Sequence, residues 1–301
     1  MATPEKLPWD RSLKSVFKDC ERWWQHFMVE RDRLGTNLAK LREELDAPGR
    51  FLGGGGTLHI IWHALENGCC VWSGRSEMEK IAQPLRHGVK FRELEFREYA
   101  GKSMPHPHQP LRAFKTSCSA VGPTMLSDWP SARLCAEQLI AVAEKEQRIK
   151  HPDLFRDGWG CGGHDAFVIA LLSQAFDIPT SYQPARPMVQ PYRQLLDVWR
   201  AEDEAAFQAA MQAACAFHIK HSLLGGGGGD PEFEYSLDIV YAVDLLAVQA
   251  LRRRDGLPEF SAGHLLVDTP WSIVRDLPQC DPHPLAVEVE QRLKQDFPSF
   301  R

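Results

Sequence analysis

A chain of 301 residues, 44% hydrophobic and 25% charged, has the composition of an ordinary globular protein and suits one large domain or two. Its formal net charge of -5 excludes the Lys/Arg-rich character that general nucleic-acid binding needs. No run reaches membrane-spanning length, MATPEKLPWDRSLK lacks an apolar signal core, and the eight cysteines include no CxxC pair, so a reducing cytoplasm is the expected setting.

In chain order, the first element is a long helix over roughly 11–45. Val16, Cys20, Trp23, Trp24, Phe27 and Met28 form an apolar stripe at helical spacing, and Leu34, Leu38, Leu41 and Leu45 continue it. The glycines at 53–56 break the chain. A helix over 58–70 follows, then a helical stretch over 76–101 interrupted by Pro84. Residues 102–130 are Pro- and His-rich and read as a long connection, with some strand character at 111–121. Helices are expected over 131–149, from His164 to Asp177, near 189–200, and over 202–223. The last of these opens with acids and closes with Lys220 and His221, which suits the helix dipole. After the loop LLGGGGGDPEFEYS, a helix over 236–254 is apolar nearly all round, with Ser236 as its cap. GHLLVD at 263–268 is the clearest strand signal, and HPLAVEVEQRLKQDF a final amphipathic helix. The expected fold is therefore mainly α: a multi-helix, bundle-like array with at most a few short strands. Residues 1–150 form an N-terminal helical region and 151–301 a C-terminal one, packing together or apart.

Charge is uneven. Residues 201–260 hold ten acids and four bases, a local balance of -6. Asp238 and Asp244 sit on the very apolar helix. Buried carboxylates are costly unless paired, so arginines such as Arg193 or Arg252, Arg253 and Arg254 are expected partners; a surface groove is the alternative.

Three groups of residues invite a chemical reading. His59 and His63 lie four apart with Glu66 beyond them, the spacing of metal ligands on one helix face, but Ile60 stands where a zinc hydrolase needs its Glu. His218 with His221 and His106 with His108 are further pairs. No metal and no cofactor is expected. The glycine runs lack the Lys of a phosphate-binding loop and read as connectors. The sharpest catalytic signal is DGWGCGGHDAF at 157–167. There Cys161 stands in a glycine turn before an apolar helix, a placement that lowers a thiol pKa. Asp281-Pro282-His283 downstream supplies an orienting acid and a base. These two strings resemble the motifs of the papain-like cysteine peptidases that process ubiquitin-fold modifiers. That resemblance implies Cys161, Asp281 and His283 as catalytic residues acting on a ubiquitin-like or peptide substrate. It also implies a central sheet, where this sequence places helices, and Gly163 replaces the family's aromatic.

A second resemblance covers about a quarter of the chain. The acid-rich start into AFQAAM, the cluster His218, Lys220 and His221, the helix LDIVYAVDLLAVQALRRRDG and the stretch FSAGHLLVDTPWSIV run in this order over 202–275. In pattern this resembles the C-terminal part of the immunity protein 49 family, one of the bacterial proteins that protect cells from polymorphic and type VI secretion toxins. The long Gly-rich loop and the GWGCGG turn depart from that family. The resemblance implies a non-catalytic, cytoplasmic, mainly helical protein that binds a cognate secreted toxin and occludes its active site, with neither nucleic acid nor membrane as partner. An acidic or aromatic patch would fill a basic active-site groove. Asp230, Glu232, Phe233, Glu234 and Tyr235 combine acids and aromatics on one loop, expected to be exposed, and are the candidate toxin-binding residues. A helical scaffold with no toxin partner is the third reading.

Overall fold

The computed structural model describes residues 7–51, 55–106, 113–148, 162–222 and 231–301. Thirteen α-helices make up the fold among them, with no strand and a single isolated bridge between Ser222 and Phe233. In chain order these are α1 (Lys14–Trp24), α2 (Arg33–Asp46), α3 (Gly55–Arg75), α4 (Ala82–Ser103), α5 (Ala113–Met125), α6 (Trp129–Glu146) and α7 (His164–Phe176). Then come α8 (Gln190–Val198), α9 (Glu204–His221), α10 (Ser236–Tyr241), α11 (Val243–Arg254), α12 (Leu265–Val274) and α13 (Pro284–Asp296). The mainly α expectation holds, and no described helix is long and apolar enough to cross a membrane.

Several boundaries differ from the sequence reading, each for a local reason. The helix expected over 11–45 is broken. A wide π turn spans Gln25–Val29, and Asp32 then takes a left-handed conformation at φ 42°. The Asp32 carboxylate accepts from Gly35 N at 3.2 Å and starts α2 afresh, a conformation and a capping role that Asp tolerates well. Pro84 falls in the first turn of α4, where its missing N–H is harmless. Residues 113–125 form α5 instead of a connection or hairpin. GHLLVD is not a strand. His264 caps α12 through Leu266 N, and Asp268 accepts from Ala262 N at 2.7 Å and His264 N at 3.1 Å, so two short polar side chains turn an apolar run into a helix start. Ser236 is the first residue of α10 and Tyr235 its N-cap, with no side-chain cap bond.

The helix expected over 236–254 breaks at Ala242, held at φ 37°. A left-handed alanine costs about 1–2 kcal/mol. The break lets α10 and α11 aim their carboxylates at different partners.

Helices from both sides of residue 150 share the interior. The larger apolar cluster runs from Leu13, just before α1, through α3 to α12 and includes Phe167, Tyr192, Phe207, Phe233 and Trp271. The smaller one joins Leu41 and Leu45 of α2, Trp62 of α3, Phe91 and Leu94 of α4, and Val289 and Leu293 of α13. α5 lies against α11, and α10 against α3 and α12. All-round apolar faces make these central helices.

Candidate interaction site

The chain leaves α9 at Ser222 and re-enters the described structure at Pro231, and the two points are pinned together. Glu232 N and Phe233 N both donate to His221 O, at 2.9 and 3.4 Å. Residues 231–235 then run across the N-terminus of α7 and the surface of α3 to begin α10.

Each residue of this neck has a structural task. Glu232 Oε2 accepts from His164 N at 2.8 Å and so caps α7 from outside the helix, filling one of the orphan donors a helix start leaves. Gly163 makes this possible: a Cβ there would stand 2.5 Å from the carboxylate. Burial raises the Glu232 pKa to about 7, against the His164 N–H bond and with help from Asp165 and Asp244. Phe233 is fully buried, stacked on His218 at 3.7 Å and edge-on to His164 at 5.0 Å. This corrects the expectation of an exposed loop: Phe233 cannot be an exposed contact, because the cavity between α7 and α9 needs its ring. Glu232 is likewise turned inward, its side chain 11% exposed. Glu234 and Tyr235 are half-buried. Asp230 and Cys161 lie outside the described residues.

Beneath Phe233 is a closed polar centre. Asp244 accepts from Tyr192 Oη at 2.6 Å and lies 3.3 Å from His218 Nδ1. Burial works against its ionisation, but His218, His164 and the Tyr192 hydroxyl hold its pKa at about 2. Burial holds His164 near 4, and Cys118 Sγ lies 3.8 Å from its Nε2. Asp238, on α10, instead meets Arg92 of α4 with two bonds, at 2.8 and 2.7 Å, while Glu66 of α3 approaches the same guanidinium at 3.2 Å. Burial and the neighbouring Asp238 push the Glu66 carboxyl up; Arg92 pulls it the other way. The arginines expected as partners do other work: Arg252, buried, donates to the carbonyls of Trp199, Ala201 and Pro258.

Above this second centre lies an aromatic ridge. The Tyr235 ring meets Trp62 at 4.8 Å, His63 at 5.7 Å and His59 at 5.8 Å. Trp23 joins His63 at 5.0 Å and Phe27 at 5.1 Å. Arg92 supports it from below, 4.8 Å from the Trp62 ring and 5.4 Å from Tyr235. Trp23, Phe27, His59, His63 and Tyr235 are all half-buried, with Val29 beyond them 61% exposed. Carboxylates sit at both ends: Glu95 accepts from Trp62 Nε1 at 2.5 Å, and Glu30 pairs with His26 at 3.1 Å. The π turn that displaces Phe27 is the kind of helix defect common at functional sites.

His59 and His63 stack 6.1 Å apart, and Glu66 turns inward to Arg92. Among the described residues no three His, Cys, Asp or Glu side chains are placed to hold a metal ion. His108 lies outside those residues.

Asp281 lines a separate cleft of about 500 Å³ with Arg86, Lys90, Asp128, Cys280 and Glu290. His283 caps α13, its Nδ1 accepting from Leu285 N at 3.2 Å. His87, rather than His283, meets Asp281, through the Asp281 carbonyl at 2.9 Å. Cys161 being outside the described residues, the three peptidase-like positions are not brought together by any described contact.

Comparison with known proteins found no matching family model, no matching curated protein and no matching solved structure. Sequence reasoning missed Arg92, His164 and Tyr192, and it placed Glu66 beside His59 and His63 on one helix face, whereas Glu66 turns inward to Arg92. Glu66 falls in line with Trp62 and Cys70 on the apolar side of α3, and a charge on an apolar stripe is the signal that a buried counter-ion exists.

Proposed function

We propose that this chain is a cytoplasmic binding protein of the toxin-immunity class, which neutralises a cognate secreted toxin by covering its active site. The observation that carries this reading is the aromatic ridge. Five half-buried rings from α1, its π turn, α3 and the neck form one surface held by a buried arginine. Interfaces concentrate binding energy in Trp, Tyr and similar anchors set in a fixed frame. The ridge is such a frame, and its rim is of mixed charge, with Glu30 and Glu95 beside Arg31 and Arg33, whose guanidiniums lie 5.8 and 5.3 Å from the Phe27 ring, so the rings rather than a net acidic surface carry the reading. The pattern over 202–275 points to the same class. Of the five loop residues considered for toxin contact, the reading keeps Tyr235 and Glu234 at the surface and gives Glu232 and Phe233 the task of holding them.

The test first asks whether a gene next to this one encodes a secreted protein, and then titrates that product against this chain. Trp23→Ala and Tyr235→Ala should each weaken affinity by about 2 kcal/mol, mainly through faster dissociation, while the free variants stay folded at some cost in unfolding free energy from the ring contacts they lose. Affinity changes below about threefold in both variants would remove the ridge from the interface.

A further inference from the structure

The cleft beside the first half of α4 is separate from the ridge and does not depend on which partner the ridge binds. We propose that it is a binding site for a small aliphatic diamine, an organic dication whose two ammonium groups are joined by an apolar chain.

The cleft is built before any ligand arrives. Its walls are α4, the turn joining α5 to α6, the segment 279–282 and α13. Arg86 ties the segment to α4 by donating to the carbonyls of Pro278 and Leu277 at 2.8 and 2.9 Å, and His87 Nε2 meets the Asp281 carbonyl at 2.9 Å. Asp128 fixes the turn by capping α6 through Ser131 N at 3.4 Å. Walls held in this way need little reordering on binding, which lowers its cost. A volume of about 500 Å³ falls in the range of small-molecule sites. Val89 and Leu126, both buried, with Pro282 and Val287 give it an apolar lining.

The pairing of its charges selects the class of ligand. Glu93 and Glu290 are already matched: Lys90 lies 3.0 and 3.1 Å from them, Arg97 2.7 and 3.1 Å, and Lys294 3.1 Å from Glu290. Arg86 spends Nε and Nη2 on the two carbonyls. Asp128 and Asp281 differ from these groups. They are exposed on two different walls, and among the described residues neither is in an ion pair. A ligand therefore gains most by bringing a charged donor to each of these acids and apolar atoms to the lining. Ammonium–carboxylate bonds are charge-assisted, and a partly enclosed site screens them less than open water does. An anion would meet the same two acids as like charges and find the cations taken.

The probe is 1,4-diaminobutane, titrated calorimetrically into the full chain at neutral pH and low ionic strength. Binding should saturate with a Kd on the order of 1 mM or tighter and weaken as salt is added. Asp128→Asn and Asp281→Asn should each reduce the affinity about fivefold. Asparagine also caps helices, so both variants should unfold like the parent. Butylamine, with one charge, should bind about fivefold more weakly than the diamine, and 4-aminobutyrate, with a carboxylate in place of one ammonium, no better than butylamine. Val287→Trp, at an exposed position of α13, should block the cleft without altering either acid. Tyr235→Ala should leave diamine binding unchanged, which separates this site from the ridge. Three results would each overturn the proposal: no saturation at about ten times the expected Kd, binding that ignores both Asn variants and the Trp variant, or 4-aminobutyrate binding as tightly as the diamine.

Discussion

Asp238 and Asp244 occupy consecutive helices of one apolar segment, and each is fully enclosed, yet the protein neutralises them in different ways. Asp238 is held by two parallel bonds from Arg92, a group that stays charged at any ordinary pH. Asp244 is held by His218 and the Tyr192 hydroxyl, one titratable and one neutral. The first arrangement is fixed and lies under the aromatic ridge. The second is adjustable and lies under the neck, next to Glu232, a carboxyl that burial raises to about 7; in the first, burial likewise raises Glu66 to about 8. Permanent charge thus supports the surface proposed for binding, and titratable groups support the segment that leads to it.

The comparison breaks most visibly at Arg92. Arg92→Met leaves Asp238 and Glu66 buried together without a cation, which should cost about 3–5 kcal/mol of unfolding free energy in urea titration near neutral pH. The loss should shrink in mildly acid solution, where the raised Glu66 carboxyl is neutral. An effect under about 1 kcal/mol would mean that the pair is solvated.

The Asp244 centre should respond to acid. Its folded pKa, near 2, lies below the usual carboxylate value, so it contributes stability above about pH 4 that disappears as pH falls from there through 2. The contribution is roughly 2 kcal/mol. His218→Phe should remove this acid-sensitive part and leave the Arg92 centre unaffected; denaturant midpoints across that range check it. Tyr192→Phe is milder. It takes one bond from Asp244 and should cost about 1–2 kcal/mol, trimming the acid-sensitive part less than His218→Phe does because the hydroxyl is the smallest of the influences that lower the Asp244 pKa. Gly163→Ala is the smallest change. Its Cβ displaces the Glu232 carboxylate and removes the α7 cap, for about 1 kcal/mol in thermal or denaturant unfolding.

How far this could be read in the sequence depends on distance along the chain. Helices announced by long apolar stripes, such as α1, α4, α9 and α13, were legible because their period repeats over several turns. α12 was not, since GHLLVD is too short to separate strand from helix and its cap depends on Asp268 folding back. The break at Ala242 carries no local signal at all: nothing about alanine asks for φ 37°. Asp238 and Asp244 were recognisable as carboxylates needing partners. Their partners were not, because Arg92, Tyr192 and His218 come from three other helices. Glu232 and Phe233 misled for the same reason. Acid and aromatic residues beside glycines describe an exposed anchor as well as they describe a tertiary cap and a core ring, and only the seating of Phe233 between His164 and His218 separates the two.

The most direct measurement is a hydrogen-exchange footprint of the protein with and without the secreted partner that the proposed function requires. The ridge account predicts new protection in peptides covering residues 19–33, 56–66 and 231–236, with the cleft around Arg86, Asp128 and Asp281 unchanged. Protection confined to that cleft, with the ridge exchanging as it does in the free protein, would contradict it.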